Sequence, residues 1–269
     1  MKRLISALIL VLVLALPVVF GPAWVLLIMA VIVIPMCIFE LMRVCLSKDA
    51  RILGWIVFYA SFPFLWFTYR GNLSAIYCIM IGMSLVIMGF GLYLYEHEKA
   101  SAREMGLALS TIIYPLTLFS FWILVRNGID GRFWMIFGLL CTFLSDAGAY
   151  YTGKNLGKMR LSPRLSPKKT WEGLLGGIAV SIVSGIVFTL IYAQIVPLQG
   201  TYPLWLIVVL GFAIAVLDLM GDLTASMFKR EFDVKDMGSL IPGHGGMLDR
   251  MDGVIPVGAA LYIIIQVLR

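Results

Sequence analysis

Long apolar stretches separated by short polar ones run along almost the whole chain. About 18 or more apolar residues suffice to cross a bilayer as a helix. Nine stretches are read as candidates, at roughly 4–20, 23–42, 52–69, 73–95, 105–125, 133–151, 174–196, 203–225 and 253–268. The pattern predicts an all-α, polytopic integral membrane protein with about nine transmembrane helices. The first stretch follows Lys2-Arg3, as in a signal peptide, but no small-residue cleavage site stands out, so it is read as an uncleaved span. Pro17, Pro35, Pro63 and Pro115 fall inside or at the edge of spans and are expected to kink them. The longest polar segments are 152–173 and 226–252, and no internal repeat is visible. One membrane domain over 1–269 is expected, with 1–130 as scaffold and 131–269 carrying the chemistry.

Charge sharpens this picture. Only 13% of residues are charged and 61% are hydrophobic, against about 25% charged in a soluble domain. With the N-terminus placed in the cytoplasm, 17 of the 21 basic residues fall in cytoplasmic segments. The positive-inside rule favours that orientation and puts the C-terminus on the opposite side. The net charge of +6 is thus first a topology signal, and it also suits anionic headgroups. The basic residues form no aromatic-interleaved patch, so nucleic acid is excluded as a partner. Cys37, Cys45, Cys78 and Cys141 lack metal-type spacing and read as small core or lipid-facing residues.

The candidate chemistry lies where acids are expensive. A carboxylate at membrane depth costs about 2.5–3.5 kcal/mol on insertion scales unless it faces water, a cation or a partner. Asp146 falls late in the sixth stretch. Asp218 and Asp222 are spaced i,i+4 at the end of the eighth, and Asp249 and Asp252 i,i+3 before the ninth. Each pair shares a helix face, and two such pairs would suit a hard divalent cation held by oxygen alone. Neutralisation by Lys229, Arg230 and Arg250 is the plainer alternative. Lys168 and Lys169 precede a helix that Thr170 can cap, with Glu172 in its first turn, and such a start attracts phosphate. Lys235, Gly245 and Gly246 extend the same character, and His244 stands between glycines. Glu40 and Arg43, spaced i,i+3, read as an interfacial ion pair, and His97 as a solvated loop residue. Together these parts would stabilise charge in phosphoryl or nucleotidyl transfer on a lipid substrate.

The stretch "SMFKREFDVKDMGSLIPGHGGMLDRMD", Ser226 to Asp252, closely resembles the signature of the phosphatidate cytidylyltransferases, or CDP-diacylglycerol synthases. Ser226, Lys229, Arg230, Lys235, Asp236, Gly238, His244, Gly245, Gly246, Asp249, Arg250 and Asp252 fall in register. "SDAGAYYTGKNLGK" and "LSPKKTWEG" are similar to that family's upstream segments, so the resemblance covers roughly 140–269. It implies that CTP and phosphatidate give CDP-diacylglycerol and pyrophosphate in phospholipid biosynthesis, with magnesium, one cation or two. It implies a bacterial inner membrane and an active site facing the cytoplasm. On this reading Asp218, Asp222, Asp249 and Asp252 hold the metal, and Lys229 and Arg230 join them in catalysis. Asp146, Lys168, Lys169, Ser226, Lys235, Asp236, His244, Gly245, Gly246 and Arg250 bind substrate. The rival readings are a CDP-alcohol phosphotransferase, a polyprenyl-phosphate sugar transferase and a cation transporter. The first is disfavoured because Asp249-Arg250-Met251-Asp252-Gly253 is followed by no Ala-Arg. Gly82, Gly89 and Gly91 offer small-residue packing for a second copy, so a homodimer is an open expectation.

Overall fold

The computed structural model describes residues 21–238 and 245–267. Its secondary structure is almost wholly helical, in the order α1 (Ala23–Cys45), α2 (Arg51–Tyr69), α3 (Leu73–Glu96), α4 (Ala102–Thr111), a π-helical turn Ile112–Thr117, and α5 (Leu118–Asn127). Next come α6 (Gly131–Leu156), the strands β1 (Arg160–Ser162) and β2 (Ser166–Thr170), α7 (Trp171–Ile195), α8 (Leu204–Glu231), α9 (Leu248–Met251) and α10 (Val254–Val267). Among the described residues, seven helices are long and apolar enough to cross a membrane, with Ala102–Asn127 counted as one. They match seven of the nine stretches read from the sequence. The stretch at 4–20 lies outside the described residues. The one at 253–268 forms α10, whose 14 residues fall short of the roughly 20 that a spanning helix needs. The fold is therefore that of an all-α polytopic membrane protein.

The helices gather in two compact units. One holds the described residues up to Leu124 together with Glu231–Arg250, and the other holds Val125–Arg230 and Met251–Arg269. In the first unit Ile34, Cys37, Ile38 and Leu41 of α1 are buried, as are Leu53, Val57, Phe64 and Leu65 of α2. With the buried Ser61 between Val57 and Phe64, both sets follow the i, i+3, i+4, i+7 spacing that places them on one helix face. Pro35 and Pro63 sit within unbroken helices. At Pro115 the helical path is interrupted, because Tyr114 leaves the helical region at φ −117° and ψ 112°. Ser101 and Glu104 form a reciprocal capping box at the start of α4.

In the second unit the buried stripe of α8 runs Ile207, Leu210, Gly211, Ile214, Asp218, Gly221 and Ala225. Asp218 is therefore inside because it falls on the apolar face. Small residues bring α6 and α7 together: a Cβ added at Gly148 would come within 2.7 Å of Val180 Cγ2, and one at Gly177 within 3.0 Å of Ser145 O. Lipid tails are as apolar as leucine, so such close packing and interhelical polar contacts must hold the helices together. Ser181 Oγ supplies one, donating to Gly211 O of α8 at 2.8 Å.

The polar segment after α6 holds a hairpin, in which β1 pairs antiparallel with β2, Arg160 opposite Thr170 and Ser162 opposite Ser166. Pro163 lies in the turn between the strands and Pro167 within β2, and a two-stranded ribbon has outer edges at which a residue without an N–H is tolerated.

Gly148→Leu should overpack the α6–α7 seam and cost about 1–3 kcal/mol. That corresponds to a fall on the order of 2–12 °C in the unfolding midpoint measured in detergent. Gly82→Leu, where an added Cβ would meet nothing within 4 Å, should leave the midpoint unchanged.

Candidate functional site

The second unit contains a cavity of about 720 Å³ whose lining includes Asp146, Lys154, Lys168, Lys169, Asp218 and Asp222. Ala149, Leu174, Ala215 and Leu219 give it an apolar share. Each polar group arrives by a local rule. Asp146, Tyr150 and Lys154 follow each other by four residues on α6, so all three face the same way. Lys168 and Lys169 come from β2, which the hairpin carries back to the start of α7. Arg230 secures that hairpin, its Nε donating to Leu165 O at 3.3 Å.

Thr170 caps α7 as expected, accepting from Gly173 N at 3.1 Å. Two amides of the first turn are engaged within the protein, Gly173 by that cap and Trp171 by Met159 O. Glu172 accepts from Met159 N, at 3.2 Å to each oxygen. The helix end still presents its positive pole beside the cavity, since Thr170 and Gly173 line it.

At the centre, Lys169 Nζ lies 2.5 Å from Asp222 Oδ2. Asp222 Oδ1 accepts from Ser226 Oγ at 3.3 Å. The carboxyl groups of Asp146 and Asp218 approach within hydrogen-bonding range of each other, with Lys169 acting on both. Asp218 is only 4% exposed. Carboxyl groups so placed need shared positive charge, and Lys169 supplies it. Gly253 lets the chain pass directly against Asp218, because a Cβ there would overlap Oδ1. A Cβ at Gly221 would likewise overlap the carbonyl of Asp252. These two contacts bring the Asp252-Gly253 backbone onto the face of α8 that carries Asp218. The carboxylate of Asp252 accepts from Gly253 N at 2.9 Å. Lys229 is half-buried just beyond Ser226 and is not among the cavity-lining residues.

Lys235, Asp236, Gly245, Gly246, Asp249 and Arg250 belong to the first unit. There Asp249 Oδ2 accepts from Met237 N at 2.8 Å and Gly246 N at 3.0 Å. Glu40, 3% exposed, accepts from Met247 N and Leu248 N, both at 2.8 Å. The expected Glu40–Arg43 ion pair is not formed among the described residues; the amides of Met247 and Leu248 take the carboxylate instead. Gly245 adopts φ +81°, a left-handed conformation that favours glycine, beside Asp236 and Asp249. Lys235, Asp236 and Arg250 are exposed. His244 lies outside the described residues. The amides of Gly246, Met247 and Leu248 are satisfied by protein carboxylates in this structure.

A family model described as the cytidylyltransferase family matches residues 1–268. The chain belongs to the cytidylyltransferase family. It is similar to the phosphatidate cytidylyltransferase of Bacillus subtilis (strain 168), 37% identical over 164 residues, which is 60% of this chain and 58% of that protein. It is also similar to the phosphatidate cytidylyltransferases of Haemophilus influenzae, 40% identical over 124 residues (46% of this chain, 42% of that protein), and of Mycobacterium bovis, 40% over 139 residues (52% and 43%). The aligned regions span about half the length of these relatives.

Among the described residues of this cytidylyltransferase, no three His, Cys, Asp or Glu side chains are placed to form a metal cage. Magnesium does not need one, since it is commonly bound through one or two carboxylates plus substrate phosphates and water. Asp218 and Asp222 offer that donor chemistry, oxygen alone beside a cavity with room for a phosphate chain. Sequence reasoning missed Lys154, Tyr150 and Glu40 as site residues. The period-four spacing from Asp146 could have found the first two. Nothing local marked Glu40, whose partners lie more than 200 positions away.

Lys169→Met should weaken binding of a nucleoside triphosphate by roughly 10- to 100-fold, the share of a charge-assisted hydrogen bond. Lys48→Met, on an exposed loop, should leave it unchanged. Titration calorimetry in detergent makes the comparison.

Proposed function

We propose that this cytidylyltransferase is a phosphatidate cytidylyltransferase. It condenses CTP with phosphatidate to give CDP-diacylglycerol and pyrophosphate, at the cytoplasmic face of a bacterial inner membrane. The observation that carries the reading is the cavity in which Lys169 meets Asp146, Asp218 and Asp222. A lysine cluster suits phosphates, carboxylates suit a hard cation, and the apolar part of the lining suits a lipid substrate. Family membership and the relatives' names support the same choice. About nine spans, an N-terminus in the cytoplasm and a C-terminus opposite complete the reading. The positive-inside distribution supports that topology.

In this mechanism a phosphate oxygen of phosphatidate attacks the α-phosphorus of CTP. The new P–O bond forms as the bond from the α-phosphorus to the bridging oxygen breaks, and pyrophosphate leaves with that oxygen. The nucleophile is already an anion, so no side chain has to remove a proton. Lys168 and Lys169, held by the hairpin, bind phosphate oxygens, and Asp146 orients Lys169. The positive end of α7 favours the same charge. Arg230 holds the hairpin through Leu165 and thereby the lysines, while Lys229 contributes cationic charge; for Lys235 and Arg250 the phosphate role rests on the sequence motif. Asp218 and Asp222 would hold Mg²⁺ together with substrate phosphates and water, and the ion would supply Lewis-acid neutralisation of the phosphate charge. For Asp249 and Asp252 the metal role rests on the sequence motif.

Incubating the detergent-solubilised protein with labelled CTP and phosphatidate should release pyrophosphate only when both are present. Chelation should abolish the release and added Mg²⁺ restore it. Ion flux in liposomes without CTP turnover would instead support the transporter. A CDP-alcohol phosphotransferase would consume CDP-diacylglycerol and release CMP. Asp218→Asn should lower turnover by roughly 100- to 1,000-fold. Asp249→Asn with normal turnover and normal Mg²⁺ dependence would remove Asp249 from the ligand set.

A further inference from the structure

We infer that Glu40 is a positioning residue for nucleotidyl transfer, setting the conformation of residues 245–249, which lead into Arg250 and Asp252. The inference rests on the activity proposed above. Glu40 lies on α1, in a region otherwise read as scaffold, and is buried to 3% exposure. A carboxylate in that position is costly unless it is well satisfied. It has no ion pair among the described residues. Its oxygens instead receive two successive backbone amides, Met247 and Leu248, each at 2.8 Å. Successive N–H groups converging on one anion form a nest, and here the protein fills that nest with its own side chain.

Two glycines take part in the fit. A Cβ at Gly238 would overlap Glu40 Oε1, and one at Gly246 would overlap Oε2. The glycines at these two positions thus leave room for the carboxylate. Asp249 completes the arrangement by holding Met237 N and Gly246 N. Two carboxylates close together repel each other, so the pair is retained against a cost that an apolar residue at position 40 would avoid. What the cost secures is one conformation for residues 245–249, immediately before Arg250 and Asp252. Glu40 reaches the chemistry only through this segment.

The test compares the wild type with Glu40→Gln, Glu40→Asp and Arg43→Gln in detergent. It reads turnover with CTP and phosphatidate, unfolding midpoint, and amide hydrogen exchange of the peptide spanning 245–252. The expected result for Glu40→Gln is faster exchange confined to that peptide. With it should come at least a tenfold loss of kcat, an apparent KM for CTP within threefold, and an unchanged midpoint. Glu40→Asp, which keeps the charge on a shorter arm, should recover part of kcat, and Arg43→Gln should match the wild type. Normal kcat in Glu40→Gln despite faster exchange would overturn the inference. So would loss of activity accompanied by faster exchange throughout the protein in both Glu40 variants, since that marks a purely structural role. Wild-type protein that turns over no CTP would sink the proposed activity itself, while the exchange comparison would still report whether Glu40 holds the segment.

Discussion

A single ammonium group among three carboxyl groups organises the second unit. Lys169 pairs with Asp222 and acts on Asp146 and Asp218, beside helices that are largely apolar. Charges there are expensive, so each has to be delivered to the others by the fold. The acids come from stripes on α6 and α8, and the lysine comes from a hairpin that returns the chain to the Thr170 cap. Small residues set the distances: Gly148 and Gly177 draw α6 to α7, and Gly253 lets the C-terminal segment pass Asp218 without a side chain between. The site and the helix packing thus depend on the same close contacts, which explains a glycine-rich, acid-bearing region in a hydrophobic chain.

The first unit solves a different problem with the same chemistry. Residues 245–249 are held by two carboxylates, the buried Glu40 and the half-buried Asp249. Glu40 and Asp249 accept four backbone amides on the two sides of residues 239–244. The N-terminal helices therefore do more than fill the membrane, since one of them carries the acid that orders a motif segment more than 200 residues away.

Much of the helical architecture was legible because hydropathy acts locally. The stretches at 52–69 and 73–95 became Arg51–Tyr69 and Leu73–Glu96 almost unchanged. Ends with polar faces were harder: α6 continues to Leu156 and α8 to Glu231, because backbone hydrogen bonding carries a helix beyond the point where its composition stops being oily. The Thr170 cap was visible as a local signal. The hairpin was not, since β1 and β2 are short and carry little apolar alternation. The pairing of Asp218 with Asp222 on one helix followed from spacing. The place of Lys154 followed from the same rule but was overlooked. Glu40 was misassigned because its i,i+3 arginine is the nearest charge in sequence, whereas burial and two amides decide its partners in space.

The most direct test of the central claim is a cryo-electron microscopy map of the protein with a non-hydrolysable CTP analogue and Mn²⁺. The account predicts nucleotide phosphates against Lys169 in the α6–α8 cavity, and a cation touching Asp218 or Asp222. Nucleotide density elsewhere, with the cavity occupied by lipid chains alone, would contradict it.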